Sequence, residues 1–308
     1  MDRVLLLRSM MLIRAFEAAL LRNPGHGFQL LSSGEEAVAV GLCAALTADD
    51  QLLTSGRSIG PALARGLDPG RVLAELLGKS AGPCQGKGGR GHIAEPSAGF
   101  FGAHAVVGGN LTIAAGVALA LQSLGSKAIV ACLFGDGACG GGALHETLNI
   151  AALWKLPLVL VCDNNRYSVS TPRAAALAPE YLSDIAKPFG VPGQTVDGMD
   201  VMAVLEAARG FVELARSGGG PSFLECVSFR FSSHSTATRD TRTPAELDAA
   251  RSHCPIELMA GRLAAEGLLA PDVRAELEHD VAEAVSAAAS FAEASPFPDP
   301  SEALSDVA

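Results

Sequence analysis

No stretch of this 308-residue chain reaches the roughly 18 consecutive apolar residues that a membrane-spanning helix requires. The longest candidates, 127–134 and 157–162, have the length of strands. Positive charge is also short. The 23 Lys and Arg are outnumbered by 33 Asp and Glu, for a formal net charge of −10 and a pI near 5.2. That balance argues against a nucleic-acid backbone as partner. The seven cysteines (Cys43, Cys84, Cys132, Cys139, Cys162, Cys226 and Cys254) form no CxxC pair and no metal-ligand spacing. Several lie inside apolar runs and read as small core residues of a reducing compartment. Arg3, Arg8, Arg14 and Glu17 interrupt the apolar first twenty residues, so a signal peptide is not expected and the cytoplasm is the default location. Charge is sparse altogether, at 18% of residues against 49% hydrophobic, and mean hydropathy is +0.29. This apolar surplus belongs in the core or against another subunit.

Residues 3–21 carry apolar positions at helical spacing, ended by Asn23-Pro24-Gly25, and residues 34–47 repeat the pattern. The glycine-rich stretch 79–109 lacks periodicity, and one that long is usually functional or disordered. Residues 110–122 follow as a helix apolar almost all round, which predicts tight central packing. Residues 127–134 read as a buried strand, 141–154 as a helix and 157–163 as a second buried strand. This βαβ unit implies a parallel sheet with a right-handed crossover. Val201, Val204, Leu205, Ala208, Phe211, Val212 and Ala215 line one helix face, with Asp200 as N-cap and Gly218 to Gly220 at its end. Residues 222–231 read as another strand, 232–243 as a Ser/Thr-rich loop and 255–291 as helical. No repeat or linker divides the chain.

The informative segment is Gly135-Asp136-Gly137-Ala138-Cys139-Gly140, between a predicted strand and a predicted helix. It satisfies GxGxxG, and Asp163 closes the next strand about where a ribose-binding acid would stand, so a dinucleotide fold is a serious rival. The glycines and the helix start suit a diphosphate in either reading. Asp136 separates them. A bare carboxylate in a diphosphate-binding turn repels the ligand unless a divalent cation lies between them. Magnesium takes hard oxygen ligands and is shared between protein and phosphates. Asn164-Asn165 supplies a second oxygen after the returning strand, with 26 residues, 138–163, between Gly137 and Asn164. Alone, a GDG turn or an Asn pair is ordinary turn chemistry. Together in a βαβ unit they favour the metal.

GDG followed at this spacing by NN resembles the thiamine diphosphate motif. The surrounding residues resemble something narrower: Gly135-Asp136-Gly137-Ala138, His145-Glu146, Leu148-Asn149, the run from Ala151 to Pro157, and Asn164-Asn165-Arg166-Tyr167. Further matches are Arg14-Ala15-Phe16-Glu17, Gly34-Glu35-Glu36-Ala37, Gly86-Lys87-Gly88-Gly89 with His92, Val196-Asp197-Gly198-Met199-Asp200 and His234-Ser235. These resemble the alpha subunit of the thiamine diphosphate-dependent decarboxylating component of pyruvate, branched-chain and acetoin dehydrogenase complexes. The resemblance implies an α/β fold, a mostly parallel sheet flanked by helices. Residues 1–291 would form a single thiamine diphosphate-binding domain and 292–308 a polar tail. It also implies that Asp136 and Asn165 ligate magnesium through side chains and Tyr167 through its carbonyl. Gly135, Gly137 and Ala138 would contact the diphosphate, Arg57 would bind it, and Val107 would lie against the aminopyrimidine. His234 matches the histidine near the diphosphate and the reacting carbon, although a histidine in a polar loop is otherwise usually a surface residue.

Departures from the family are local. Where Tyr-Arg-x-His-Gly is usual, this chain has Gly56-Arg57-Ser58-Ile59-Gly60, and before His234 it has Ser232-Ser233 in place of His-Gly. Two imidazoles that could handle protons are therefore gone. In the family the carboxylate that activates the aminopyrimidine belongs to a beta subunit, and Glu35 and Glu36 match only a structural motif here. The resemblance thus implies a heterotetramer active only with a beta-type partner, decarboxylating a 2-oxo acid and passing the acyl group to a lipoyl domain. The alternative is a specialised relative that moves a two-carbon unit from a 2-oxo acid or ketose phosphate to another acceptor, such as a carrier-protein thiol. Arg239 and Arg242 would suit a phosphorylated donor. A non-catalytic homologue is disfavoured by the intact ligand set.

Overall fold

The structure is a computed structural model that describes residues 2–22 and 27–305. The expected stop signal Asn23-Pro24-Gly25 lies outside the described residues. The chain opens with α1 (Arg3–Leu21), α2 (Glu36–Ala45), β1 (Gln51–Ser55), α3 (Ile59–Ala64), α4 (Pro69–Leu76) and β2 (Phe100–His104). There follow α5 (Gly109–Ser123), β3 (Val130–Gly135), α6 (Gly142–Trp154), β4 (Leu158–Asn164), and a small hairpin of β5 (Tyr167–Ser168) and β6 (Thr171–Pro172). The remainder is α7 (Arg173–Ala176), β7 (Gly193–Asp197), α8 (Val201–Arg216), β8 (Ser222–Val227), α9 (Pro244–Arg251), α10 (Pro255–Ala265) and α11 (Pro271–Ala294).

Six strands form one parallel sheet in the order β2-β1-β3-β4-β8-β7. Its central strands, Val-Ala-Cys-Leu-Phe and Leu-Val-Leu-Val-Cys, are continuous apolar runs because helices cover both faces. One core joins the sheet to α1, α2, α8 and α10; the other joins it to α5 and α6. The chain steps from β1 outward to β2 and then returns past β1 to β3. This reversal opens a crevice at the carboxyl ends of β1 and β3, where ligands bind in such sheets.

Several boundaries differ from expectation. Residues 222–231 do not form one strand: β8 stops at Val227, where Ser228 turns its hydroxyl to Asp163 and Arg230 enters the interior. Residues 255–291 are two helices, because Gly267 adopts φ +72° and lets Leu268 N–H cap the Leu263 carbonyl. The helix at 110–122 is not centrally packed. Only Asn110, Leu111, Ala114, Ala115 and Ala118 of α5 are buried, since just one flank meets the sheet and α6; Ile113 and Leu119 face outward. Part of the apolar surplus is thus on the surface of this chain.

The glycine-rich stretch is not without regular structure, since it contains β2 paired to β1, and its loop at 84–89 is ordered by a single carboxylate. Buried Glu75, on α4, accepts N–H bonds from Cys84 (2.8 Å) and Gly86 (3.0 Å) on one oxygen and from Gly88 (2.8 Å) and Gly89 (2.9 Å) on the other. Gly86 is obligatory because its φ is +79° and a Cβ would strike the backbone of Gly78. Past α11 the tail rests on this loop, with Ser80 N–H donating to the Pro296 carbonyl at 3.0 Å and Lys79 over the Phe297 ring. Glu75→Ala is expected to destabilise the protein by about 2 to 4 kcal/mol, since hydrogen bonds to a charged acceptor are the strong ones. Amide hydrogen exchange should accelerate first at residues 84–89; unchanged protection there would refute the assignment.

Candidate functional site

Five strand ends deliver the predicted residues to the crevice, Val107 coming from the turn after β2. Arg57 follows β1, the Asp136-Gly137 turn follows β3, Asn165 and Tyr167 follow β4, and His234 arrives on the loop after β8. Arg57, Val107, Gly135, Asp136, Gly137, Asn165, Tyr167 and His234 line one cleft together with Ser32, Glu35 and Asp163. Ala138 stands apart: its methyl is buried in the core under α5 and α6, so only its backbone faces the turn. The two asparagines separate in role. Asn164 Nδ2 donates to Glu225 at 2.7 Å, away from the cleft, whereas Asn165 turns into it.

The turn after β3 is a short 3-10 segment, Asp136–Gly140. Gly137 permits its close approach to β5, because a Cβ there would overlap the Ser168 hydroxyl. Gly135 differs: a Cβ built on it meets nothing, so its α-carbon borders open cleft. Asp136 is 2% exposed, and its Oδ2 has no hydrogen-bond partner among the described residues. Burial pushes its carboxyl up to about 6; the Gly137 N–H opposes this and the nearby Glu35 adds to it. Asp163 is raised well above the ordinary range, first by desolvation and then by Glu35. A buried carboxylate oxygen left without a donor among the described residues, in one cleft with the Asn165 amide and an open glycine turn, is of the chemistry that could take a hard cation shared with an anionic ligand. Among the described residues no three His, Cys, Asp or Glu side chains gather into a metal cage.

The cationic side of the cleft is fixed by geometry. Arg57 donates Nη1 to the Leu31 carbonyl at 2.7 Å and Nη2 to the His234 carbonyl at 2.9 Å, and Nη2 lies 3.2 Å from His234 Nδ1. A guanidinium only donates, so Nδ1 is the acceptor and the proton sits on Nε2. Desolvation, then repulsion from Arg57 and Arg230, lowers the His234 pKa, so the ring is neutral at pH 7 with one N–H free to donate. Arg230, 1% exposed, donates to the Val169 carbonyl. Burial, with Arg57 adding repulsion, brings it down to about 10.

Sequence reasoning missed Arg230 and misread Glu35. Glu35 is no passive part of a structural motif: its Oε1 accepts Asn165 Nδ2 at 2.6 Å and its Oε2 lies 3.5 Å from Arg57 Nε. The available signal was redundancy, since Glu36 alone closes the helix start by accepting Gly34 N–H at 2.9 Å and pairing with Arg14. Arg242 is corrected in the other direction. It pairs with Asp240 and donates to the Arg230 and Ser232 carbonyls, which commits it to holding the 232–243 loop. At the β1–α3 turn, Ile59, which stands where the family usually has a histidine, is 2% exposed in the core, so that turn presents Gly56 and Arg57 to the cleft and no imidazole.

A sheet that brings an orphaned carboxylate, an amide and a fixed cation to its switch point defines an α/β protein with a charged cleft where sheets of this kind bind ligands. The chain belongs to the family described as dehydrogenase E1 component, whose model matches residues 3–301. It is 41% identical over 292 residues to the alpha subunit of acetoin:2,6-dichlorophenolindophenol oxidoreductase of Bacillus subtilis, covering 91% of this chain and 84% of that protein. It is 40% identical over 306 residues to the pyruvate dehydrogenase E1 component subunit alpha of Rhizobium meliloti, covering 97% and 88%. It is 37% identical over 278 residues to the human mitochondrial somatic form of that subunit, covering 89% and 70%. The alpha-subunit resemblance read from the sequence therefore stands, and with it membership of a thiamine diphosphate-dependent family.

The elevated Asp136 pKa has a consequence for stability. The folded chain holds this proton more tightly than the unfolded chain, so stability falls as pH rises from 3.8 through about 6. In the cofactor-free protein Asp136→Asn should therefore raise stability at pH 7.5 by roughly 2 kcal/mol, with the gain gone by pH ~4. Denaturant unfolding at the two pH values would check this; a loss at pH 7.5 would contradict it.

Proposed function

We propose that this chain is the alpha subunit of a thiamine diphosphate- and magnesium-dependent enzyme that decarboxylates a 2-oxo acid and passes the acyl group to a lipoyl-type acceptor. The observation that supports the metal is the buried Asp136 Oδ2, which has no hydrogen-bond partner among the described residues. Asp136 and Asn165 would hold magnesium through side-chain oxygens, with Tyr167 contributing its carbonyl. The backbone of Gly135, Gly137 and Ala138 would receive the diphosphate on the open side of the turn. When bound, thiamine diphosphate supplies the carbanion chemistry at the substrate carbonyl. The chain's own part is positional and electrostatic. Arg57 meets the diphosphate charge, Val107 at the cleft mouth offers an apolar contact to the aminopyrimidine, and the His234 Nε2–H donates toward the reacting end.

Two features support the requirement for a beta-type partner. The cleft encloses about 130 Å³, well below the roughly 300 Å³ at which small-molecule sites begin. The one non-ligand glutamate in it, Glu35, is bonded to Asn165 and so belongs to the metal end. The activating carboxylate for the other end must come from elsewhere, and the outward apolar residues of α5 provide surface to bury against a second chain. A phosphorylated donor loses half its support now that Arg242 is committed to its loop. The acetoin- and pyruvate-type relatives match almost equally well and do not select the donor. No helix of the described residues is long and apolar enough to cross a membrane.

Three outcomes test this reading. Purified alone, the chain should neither decarboxylate nor transfer acyl groups, whereas co-expression with the beta-type partner should give an active tetramer by light scattering. Turnover by the single chain would refute the half-site. Asp136→Ala should abolish magnesium-dependent cofactor binding in calorimetry of the reconstituted complex; undiminished affinity would remove the metal assignment. His234→Ala should retain cofactor and slow acyl transfer by about a hundredfold, the scale of a positioned acid–base group. Wild-type single-turnover rates in both decarboxylation and transfer would return His234 to the surface.

A further inference from the structure

Glu35 is a charged residue of the cleft that the proposed chemistry does not use. It is 2% exposed at the entrance to α2, yet its side chain makes no capping bond to that helix. Its partners come from elsewhere in the chain. Oε1 accepts Asn165 Nδ2 at 2.6 Å across 130 residues of sequence, and Oε2, without a hydrogen bond, faces the cleft 3.5 Å from Arg57 Nε.

These contacts restrict both partners. A carboxylate only accepts, so it forces the Asn165 amide to present nitrogen toward Glu35 and oxygen the other way. There Asn165 Oδ1 takes the Tyr167 N–H at 3.2 Å and keeps a lone pair for a cation. Arg57 has its Nη1 and Nη2 committed to Leu31 and His234, and Glu35 confronts its remaining Nε face. One side chain thus fixes the amide of the metal clamp and backs the guanidinium that locks the His234 tautomer.

We propose that Glu35 is a positioning residue of the metal–diphosphate half-site, setting the amide orientation of Asn165 and the placement of Arg57. This rests on the function proposed above. It is distinct from a role at the aminopyrimidine, because Glu35 is bonded to a residue of the metal clamp.

The test uses the co-expressed alpha–beta complex with thiamine diphosphate, with manganese as the probe and free ion read by electron paramagnetic resonance. Glu35→Leu should weaken manganese binding by about tenfold or more, the scale for losing a group that orients a ligand. Glu35→Gln should stay within about threefold of wild type, because an amide oxygen still accepts from Asn165 Nδ2. Thermal unfolding of the metal-free complexes separates this from misfolding. If the leucine variant does not fold, Glu35→Asp, one methylene too short to reach Asn165, should show the loss instead. Wild-type affinity in the leucine or aspartate variant overturns the proposal. So does a glutamine variant as weak as leucine, which would make the effect one of charge and not of orientation. A wild-type complex that binds no manganese overturns the proposed function itself, and this inference with it.

Discussion

The arrangement depends on the cost of burying charge. Asp136, Glu35 and Asp163 crowd one cleft at the carboxyl edge of the sheet, and each is pushed up first by desolvation; Glu35 in turn raises the other two, while Arg57 and Arg230 oppose its own rise. An isolated carboxylate in such a place is expensive unless a cation meets it. The protein supplies two, Arg57 and Arg230, but both are engaged by backbone carbonyls and neither reaches Asp136 Oδ2 within hydrogen-bonding distance. Among the described residues the charge of the site is therefore left unbalanced, and under the proposed function an added divalent ion would supply what is missing. Stability given up at a binding site in this way is a common trade.

Topology explains why these charges meet. The crevice between β1 and β3 exists because the chain reverses its winding direction there, so the turns after both strands diverge and leave room between them. The β4 and β8 ends then close the crevice from one side only. The opposite side is left to Val107 and the outward flank of α5, where apolar residues stay exposed. The same sheet order that gathers a diphosphate end leaves the other end of the ligand without a wall. A second subunit is the economical completion.

Much of this was legible in the sequence because it was written locally. The GDG turn, the returning strand and the Asn pair lie within 31 positions, 135–165, and their spacing alone fixed a shared sheet edge. Helix caps such as Asp200 were equally local. What escaped was long-range. Glu35 meets Asn165 across 130 residues, and β1, β2 and β7 are short edge or flanking strands whose pairing partners, not their own pattern, make them strands. The glycine-rich stretch looked aperiodic because its order comes from outside it, from Glu75 at residues 84–89 and from β1 at residues 100–104. Arg242 was misassigned for the same reason: nothing in Arg-Asp-Thr-Arg reveals which arginine turns inward to the Arg230 carbonyl.

The central claim is that the orphaned oxygen of Asp136 is a metal ligand in a cofactor site shared between two chains. Anomalous diffraction from crystals of the alpha–beta complex grown with manganese and thiamine diphosphate tests it most directly. The account predicts a single peak within about 2.3 Å of Asp136 Oδ2 and Asn165 Oδ1, a bonding distance to hard oxygen ligands, with the cofactor walled by both subunits. A diphosphate seated on the glycine turn with no metal beside Asp136, or a cofactor enclosed by this chain alone, would contradict it.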